Sequence, residues 1–382
     1  MTEGLSGYIT DRELLAGMER VARAAEGNRR LPELAAELLA LLYGEGGEPQ
    51  FWALYTRSWE ELEQLLGEDA DCYLAYVYEL GFPRLAALYE RRGYPRQVLA
   101  ATLSDFDLRA RNYRDMHGGR AGIDDYRWLT RHMTGTVFRL GRLQFVYNRP
   151  FVYGTQIYRG RLDGSLTAVA EGGLAVDGQG FVAVAGEGVF VTELEVGEEA
   201  VTANRIDPAG NILREKVHLP DGHYDCVVRD GDPVIDIHIP ADGKMSAGDV
   251  AVSLQMAWAF GKRYFPDARY RGFVCSSWLL SDEVAEILPE DANLVRFSRL
   301  FTRCAGQRRE HELIYKWIFG MDKKREDFRR HTPSTALQKG ARRLLEEGRW
   351  FTARSGFIPP EGVAENSGAA VLAGLQTEEF RE

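Results

Sequence analysis

The sequence predicts an α/β (α+β) protein in two parts, a helical N-terminal domain followed by a mixed-sheet domain that carries a β-rich insert. Three observations predict it. Apolar residues recur at helical spacing from residue 10 to about 134, the pattern changes near Gly135 to alternation with dense glycine, and beyond Pro233 strand-like and helix-like stretches alternate. With 382 residues and 45% hydrophobic content, the chain has apolar material for more than one core. The domains are expected at 1–134 and 135–382, the second divided into a β-rich section 135–225, an αβ core 226–303 and a C-terminal helix and tail 304–382.

The helical part opens with a capping box, Thr10-Asp11-Arg12-Glu13, ahead of the stripe Leu14, Leu15, Met18, Val21, Ala22. Leu31 to Tyr43 repeats the helical spacing, Ser58-Trp59-Glu60-Glu61 reads as a second capping box, and Gly81, Pro83, Gly93 and Pro95 punctuate the later helical segments. The dense aromatics Phe51, Trp52, Tyr55, Trp59, Tyr73, Tyr76 and Tyr78 read as core before they read as a ligand groove.

Thr136 to Tyr147 alternates as a half-buried strand does, and strands are expected over Phe181–Leu194 and Ala200–Leu219, with Asp207-Pro208-Ala209-Gly210 as a turn. Further on, a strand Pro233–Pro240 leads to a helix capped at Ser246-Ala247-Gly248-Asp249 and running to about Tyr264. A strand Gly272–Trp278, a short helix Ser281–Leu288 and a third strand Asn293–Phe301 complete the alternation. Such an order implies a sheet with a crossover connection.

Charge and composition exclude several classes. A net charge of -10 argues against a nucleic-acid partner, and Lys323-Lys324-Arg325 and Arg329-Arg330 read as solvated helix faces. No apolar run is long enough for a membrane span, and the N-terminus lacks a signal layout, so a cytoplasmic protein is expected, with no membrane partner. Cys72, Cys226, Cys275 and Cys304 are too scattered for a zinc knuckle or a disulfide framework, and no metal is expected. His311-Glu312 has no second histidine at zincin spacing, there is no GxGxxG or Walker loop, and Ser276 lacks the glycines of a nucleophile elbow.

Asp236-Ile237-His238-Ile239-Pro240, then Phe273-Val274-Cys275-Ser276-Ser277-Trp278-Leu279-Leu280, then Asn293-Leu294-Val295-Arg296-Phe297 carry a resemblance. So do Arg139-Leu140-Gly141-Arg142-Leu143-Gln144-Phe145 and the stretch from Gly348-Arg349-Trp350 to Ser355-Gly356. Over roughly residues 50 to 358 the chain resembles a bacterial family of acyltransferase-domain proteins with a helical N-acyltransferase N-terminal domain and a GNAT-like C-terminal domain. The resemblance implies a GNAT-type fold, acyl-CoA (released as CoA) as donor substrate, and a small molecule or other amine as acceptor. It implies an acyl-CoA-dependent N-acyltransferase and assigns no catalytic residue.

Most GNAT enzymes hold the CoA pyrophosphate with an Arg/Gln-x-x-Gly-x-Gly/Ala turn. This chain has Ala241-Asp242-Gly243-Lys244-Met245-Ser246-Ala247-Gly248, with two glycines at a different spacing. Gly243, Lys244, Ser246 and Gly248 are the candidate cofactor-binding residues, through backbone N–H groups, a helix start and a positive charge. The alternative is an ordinary capped connection, which Asp242 and Asp249 favour.

Acyl transfer to an amine needs a base for the ammonium proton and donors for the oxyanion and the leaving thiolate. Asp236 and His238 share a strand face, and histidine titrates in the range a general base requires. At i and i+2 they are expected about 7 Å apart, linked through water or charge alone. Ser276 and Ser277 are the candidate hydroxyl donors. The structural alternatives are a backbone-bonded strand-end histidine, a turn-forming serine, and Cys275 as a buried small hydrophobe. The reading is direct transfer, with two rivals: a non-catalytic GNAT-derived binding or regulatory module, and an acyl enzyme on Cys275 or Ser276.

Overall fold

The computed structural model describes residues 4–124, 126–183, 187–307, 313–320 and 331–363. Lys323-Lys324-Arg325, Arg329-Arg330, His311-Glu312 and the tail from 364 onward lie outside these residues. The chain divides into two compact units, one built from the residues up to Gln144 together with Pro240–Gly243, the other starting at Phe145 and resuming at Lys244.

The first unit is a succession of helices: α1 (Arg12–Gly27), α2 (Arg30–Tyr43), α3 (Gly47–Arg57), α4 (Trp59–Leu66), α5 (Tyr73–Arg92), α6 (Arg96–Leu103), α7 (Asp105–Met116) and α8 (Tyr126–Met133). It closes with strand β1 (Val137–Leu140), after which Gly141, at φ 68, turns the chain. Phe51, Tyr73 and Tyr78 are fully buried, so the aromatics are core.

The structure corrects three local readings. The cap of α1 is Asp11, whose carboxylate accepts from Leu14 N at 3.0 Å and holds Arg114 with two bonds, while the Thr10 hydroxyl is engaged by Asp107. Ser58 makes no side-chain cap, because the chain passes from α3 to α4 with its N–H bonded back to Leu54 O. Gly81 and Pro83 do not punctuate anything, since α5 runs through both. A Cβ at Gly81 would stand 2.8 Å from Leu39 Cδ2, so the glycine permits close packing on α2. Gly93, at φ 66, does end α5.

The second unit holds β2 (Leu143–Pro150), β3 (Thr155–Gly160), β4 (Leu166–Ala170), β5 (Ala175–Val176), β6 (Phe190–Val191), β7 (Leu194–Val196), β8 (Ala200–Ile206), β9 (Ile212–Pro220), β10 (Tyr224–Val228) and β11 (Pro233–His238). Helix α9 (Ala247–Tyr264), β12 (Phe273–Ser277), β13 (Thr302–Arg303) and β14 (Arg354–Ile358) follow, with further helices over Asp282–Ile287, Leu313–Phe319 and Ala336–Glu346. One of its sheets runs β2-β11-β12-β14-β13. The β-rich insert forms a second, β10-β3-β4-β8-β7, with β9 on β8. Strands β11 and β12 are parallel and α9 is their crossover, capped by Ser246 as the sequence predicts. Phe151, Ile157, Val234, Val274, Cys304 and Phe357 share one buried cluster.

Asn293–Phe301 is not a strand. It forms a helix, Asn293–Ser298, burying Val295 and Phe297. An apolar run this short suits either element, and the place beside β12 is taken by β14, which pairs it from Phe273↔Ile358 to Ser277↔Arg354.

Candidate active site

Strands β11 and β12 pair at Ile235↔Phe273 and Asp236↔Val274, and their carboxyl ends, Ile237–His238 and Cys275–Ser277, lie past the paired stretch. In an open α/β sheet, this is the end where ligands gather. Alternation puts Asp236 and His238 on one face. Their side chains meet, with His238 Nε2 at 3.3 Å from Asp236 Oδ2; the histidine is 33% exposed and the aspartate 16%. The expected 7 Å gap is closed because side chains lean along the strand.

The next strand adds hydroxyls. Register sets Ser276 opposite Ser355, and their Oγ atoms are 2.6 Å apart. The Tyr153 phenol lies near the Ser276 hydroxyl. Burial and then the Asp236 charge push its pKa above the ordinary tyrosine value, outweighing the Ser276 hydroxyl, so the phenol stays protonated and is a donor. Sequence reasoning misses Tyr153 and Ser355. Ser355 falls within the motif Ser355-Gly356, but nothing local marks Tyr153, which arrives from the insert side.

Ser277 stands apart from this group, since its hydroxyl accepts from Leu279 N at 3.2 Å and caps the turn after β12. Cys275 is fully buried. Burial, reinforced by Asp236, pushes its thiol well above the usual value, the opposite of an activated nucleophile.

The loop candidates have mixed surroundings. In the first unit, Asp242 pairs with Arg139 (2.5 Å) and Arg142 (3.4 Å), and Arg142 also donates to the carbonyls of Pro240 and Gly243. In the second unit, Ser246 Oγ accepts from Asp249 N and donates to the Asp249 carboxylate, which therefore sits on the start of α9. Gly243 and Gly248 are exposed, and a Cβ on either would meet nothing closer than 3.9 Å, leaving open backbone. Lys244 is exposed. Arg299 pairs with Glu290 at the surface.

Among the described residues, no group of three or more His, Cys, Asp or Glu is placed to hold a metal ion, and no helix is long and apolar enough to cross a membrane.

A parallel strand pair with a crossover helix, following a helical N-terminal stretch in the sequence, is the arrangement expected of a GNAT-like domain. A family model described as a GNAT-like C-terminal domain matches residues 137–358, and one described as an N-acyltransferase N-terminal domain matches 13–135. The chain belongs to this family. Solved structures agree in fold. An acyltransferase in complex with decanoyl-CoA and teicoplanin is 20% identical, covering 88% of this chain and 87% of that one at a TM-score of 0.52. An acyltransferase in complex with decanoyl-CoA alone is 20% identical over 91% of this chain and 99% of that one, TM-score 0.52. A variant acyltransferase with octanoyl-CoA is 20% identical, with 88% of each chain covered and a TM-score of 0.52. A search of curated proteins gave no match.

Proposed function

We propose that the protein is an acyl-CoA-dependent N-acyltransferase that moves the acyl group directly to an amine. The observation that carries this reading is the His238–Asp236 pair beside the Tyr153–Ser276–Ser355 hydroxyl chain, at the diverging ends of β11 and β12. His238 takes the ammonium proton of the acceptor, and Asp236 orients the imidazole. The free amine then attacks the thioester carbonyl. Collapse of the tetrahedral intermediate breaks the C–S bond; a hydroxyl of the Ser276–Tyr153 chain gives a proton to the CoA thiolate and recovers one from the attacking nitrogen, which loses its second proton as the amide forms. The elevated thiol of Cys275 supports direct transfer over an acyl enzyme.

The family membership and the acyl-CoA complexes of similarly folded acyltransferases support acyl-CoA as donor. Gly243, Lys244, Ser246 and Gly248 are its proposed phosphate contacts. A second reading, a non-catalytic binding module, is favoured by Asp249 on the start of α9, where a phosphate would otherwise bind.

Release of free CoA thiol decides between them. Acetyl-, octanoyl- and decanoyl-CoA should each be titrated calorimetrically and then incubated with a panel of amines. Binding with amine-dependent thiol release supports the enzyme. Absence of binding at millimolar acyl-CoA, about -4 kcal/mol, or binding without release from any amine, moves the protein to the second reading.

A further inference from the structure

Arg303 and Arg354 stand on the paired strands β13 and β14, and Arg354 lies opposite Ser277, at the carboxyl end of β12. Both guanidinium groups are withdrawn from water. Arg354 is 6% exposed, lies over the Phe181 ring at 4.2 Å, and reaches Asn211 Oδ1 (3.1 Å) and Asp282 Oδ2 (3.3 Å) through Nη2. A Cβ at Gly306 would fall 2.4 Å from its Nη1, so the group rests on bare backbone. Arg303 donates to Ser298 and to the Phe301 carbonyl through its two terminal nitrogens.

The remaining donors are what need an explanation. Arg303 Nε, Arg354 Nε and Nη1, and the hydroxyl of Ser281, next in the chain to Asp282, are buried without a hydrogen-bond partner among the described residues. The ion-pairing carboxylate within reach of Arg354 among these residues is Asp282, which is 53% exposed. Two buried guanidinium groups thus face one carboxylate that is largely in water. Burial pushes the Arg303 pKa down, Asp282 pulls it up, and Arg354 pushes it down again. A buried cation left without a counter-charge is strongly disfavoured, and buried donors are satisfied in nearly every native fold.

We propose that Arg303, Arg354 and Ser281 form an oxyanion site, next to the ligand end of the sheet, that takes a phosphate group. A planar carboxylate would engage one guanidinium fork, whereas unfilled donors on two guanidinium groups and a hydroxyl suit the several oxygens of a tetrahedral phosphate. The phosphate is either one of the CoA phosphates or free inorganic phosphate. The site is separate from the α9 loop and does not depend on the acyl-transfer reading.

The test is a titration of the full-length protein with inorganic phosphate at constant ionic strength, read by thermal shift and calorimetry. A saturable stabilisation that chloride does not reproduce is expected. Arg354→Gln and Arg303→Gln should each weaken the apparent affinity by about 10-fold or more, as loss of a charge-assisted hydrogen bond does, while the surface control Arg299→Gln leaves it unchanged. If Arg354→Gln does not fold, Arg303→Gln and Ser281→Ala carry the comparison. Competition between phosphate and CoA, lost with 3′-dephospho-CoA, identifies the coenzyme as the source; simultaneous binding of CoA and phosphate identifies free phosphate. No stabilisation beyond that of chloride, or an undiminished response in the variants, overturns the site. Thiol release is measured separately, so an enzyme that turns over acyl-CoA without a phosphate response refutes this site alone.

Discussion

Among the described residues, two histidine–aspartate pairs of nearly equal length stand in opposite settings. In the helical unit, His132 Nε2 lies 3.5 Å from Asp105 Oδ2 with both side chains wholly buried. His132 Nδ1–H donates to the Trp128 carbonyl, the Gln144 amide donates to Nε2, and Trp128 Nε1 donates to Gln144 Oε1. That circuit commits both ring nitrogens to neighbours inside the core. In the sheet unit, the His238–Asp236 pair is 3.3 Å long, partly exposed and at a strand end. Distance alone does not distinguish a base from a core histidine; solvent access does.

Parallel substitutions should separate the two pairs. His238→Ala is expected to lower turnover by about 10²–10⁴-fold with acyl-CoA affinity and melting temperature nearly unchanged. Intact turnover of the purified variant on an identified acceptor would mean the pair is structural. His132→Ala should do the reverse, costing about 2–4 kcal/mol in denaturant unfolding because Gln144 and Trp128 lose partners inside the core, with turnover per folded molecule preserved. Tyr153→Phe keeps the ring's volume and removes one donor, so kcat should fall by about 10-fold or more with KM little changed; an unchanged kcat would exclude the phenol from proton return. The smallest effect is expected for Cys275→Ala. Turnover should stay within about 2-fold, and the intact mass of the wild-type protein after acyl-CoA alone should show no adduct, since a buried, elevated thiol supplies no thiolate.

Legibility in the sequence tracks the range of the interactions. Strand β11, the Ser246 cap, α9 and β12 are readable because each carries its own turn, cap or alternation signal within a few residues. The Asp236–His238 face is readable for the same reason, though its contact is not, since spacing fixes Cα positions and leaves rotamers open. Asn293–Phe301 reads wrongly as a strand because the competing claim on that sheet position lies more than fifty residues downstream, in β14. The parts played by Tyr153 and Ser355 are not legible locally: one lies near a serine on a distant strand, the other matters through register. The loop between β11 and α9 is legible as a capped connection, and its carboxylates Asp242 and Asp249 stand where composition places them.

The pairing of Ser276 with Ser355 also bears on synthesis. The two hydroxyls are 79 residues apart in sequence, and β14 lies between β12 and β13, both of which are made earlier. Until Ile358 has left the ribosome, those two strands have a gap between them, with unpaired N–H and C=O groups open to any passing extended chain. Nascent and prematurely terminated molecules are therefore expected to be inactive and prone to aggregate, and the late arrival of one short strand both closes that edge and completes the hydroxyl chain.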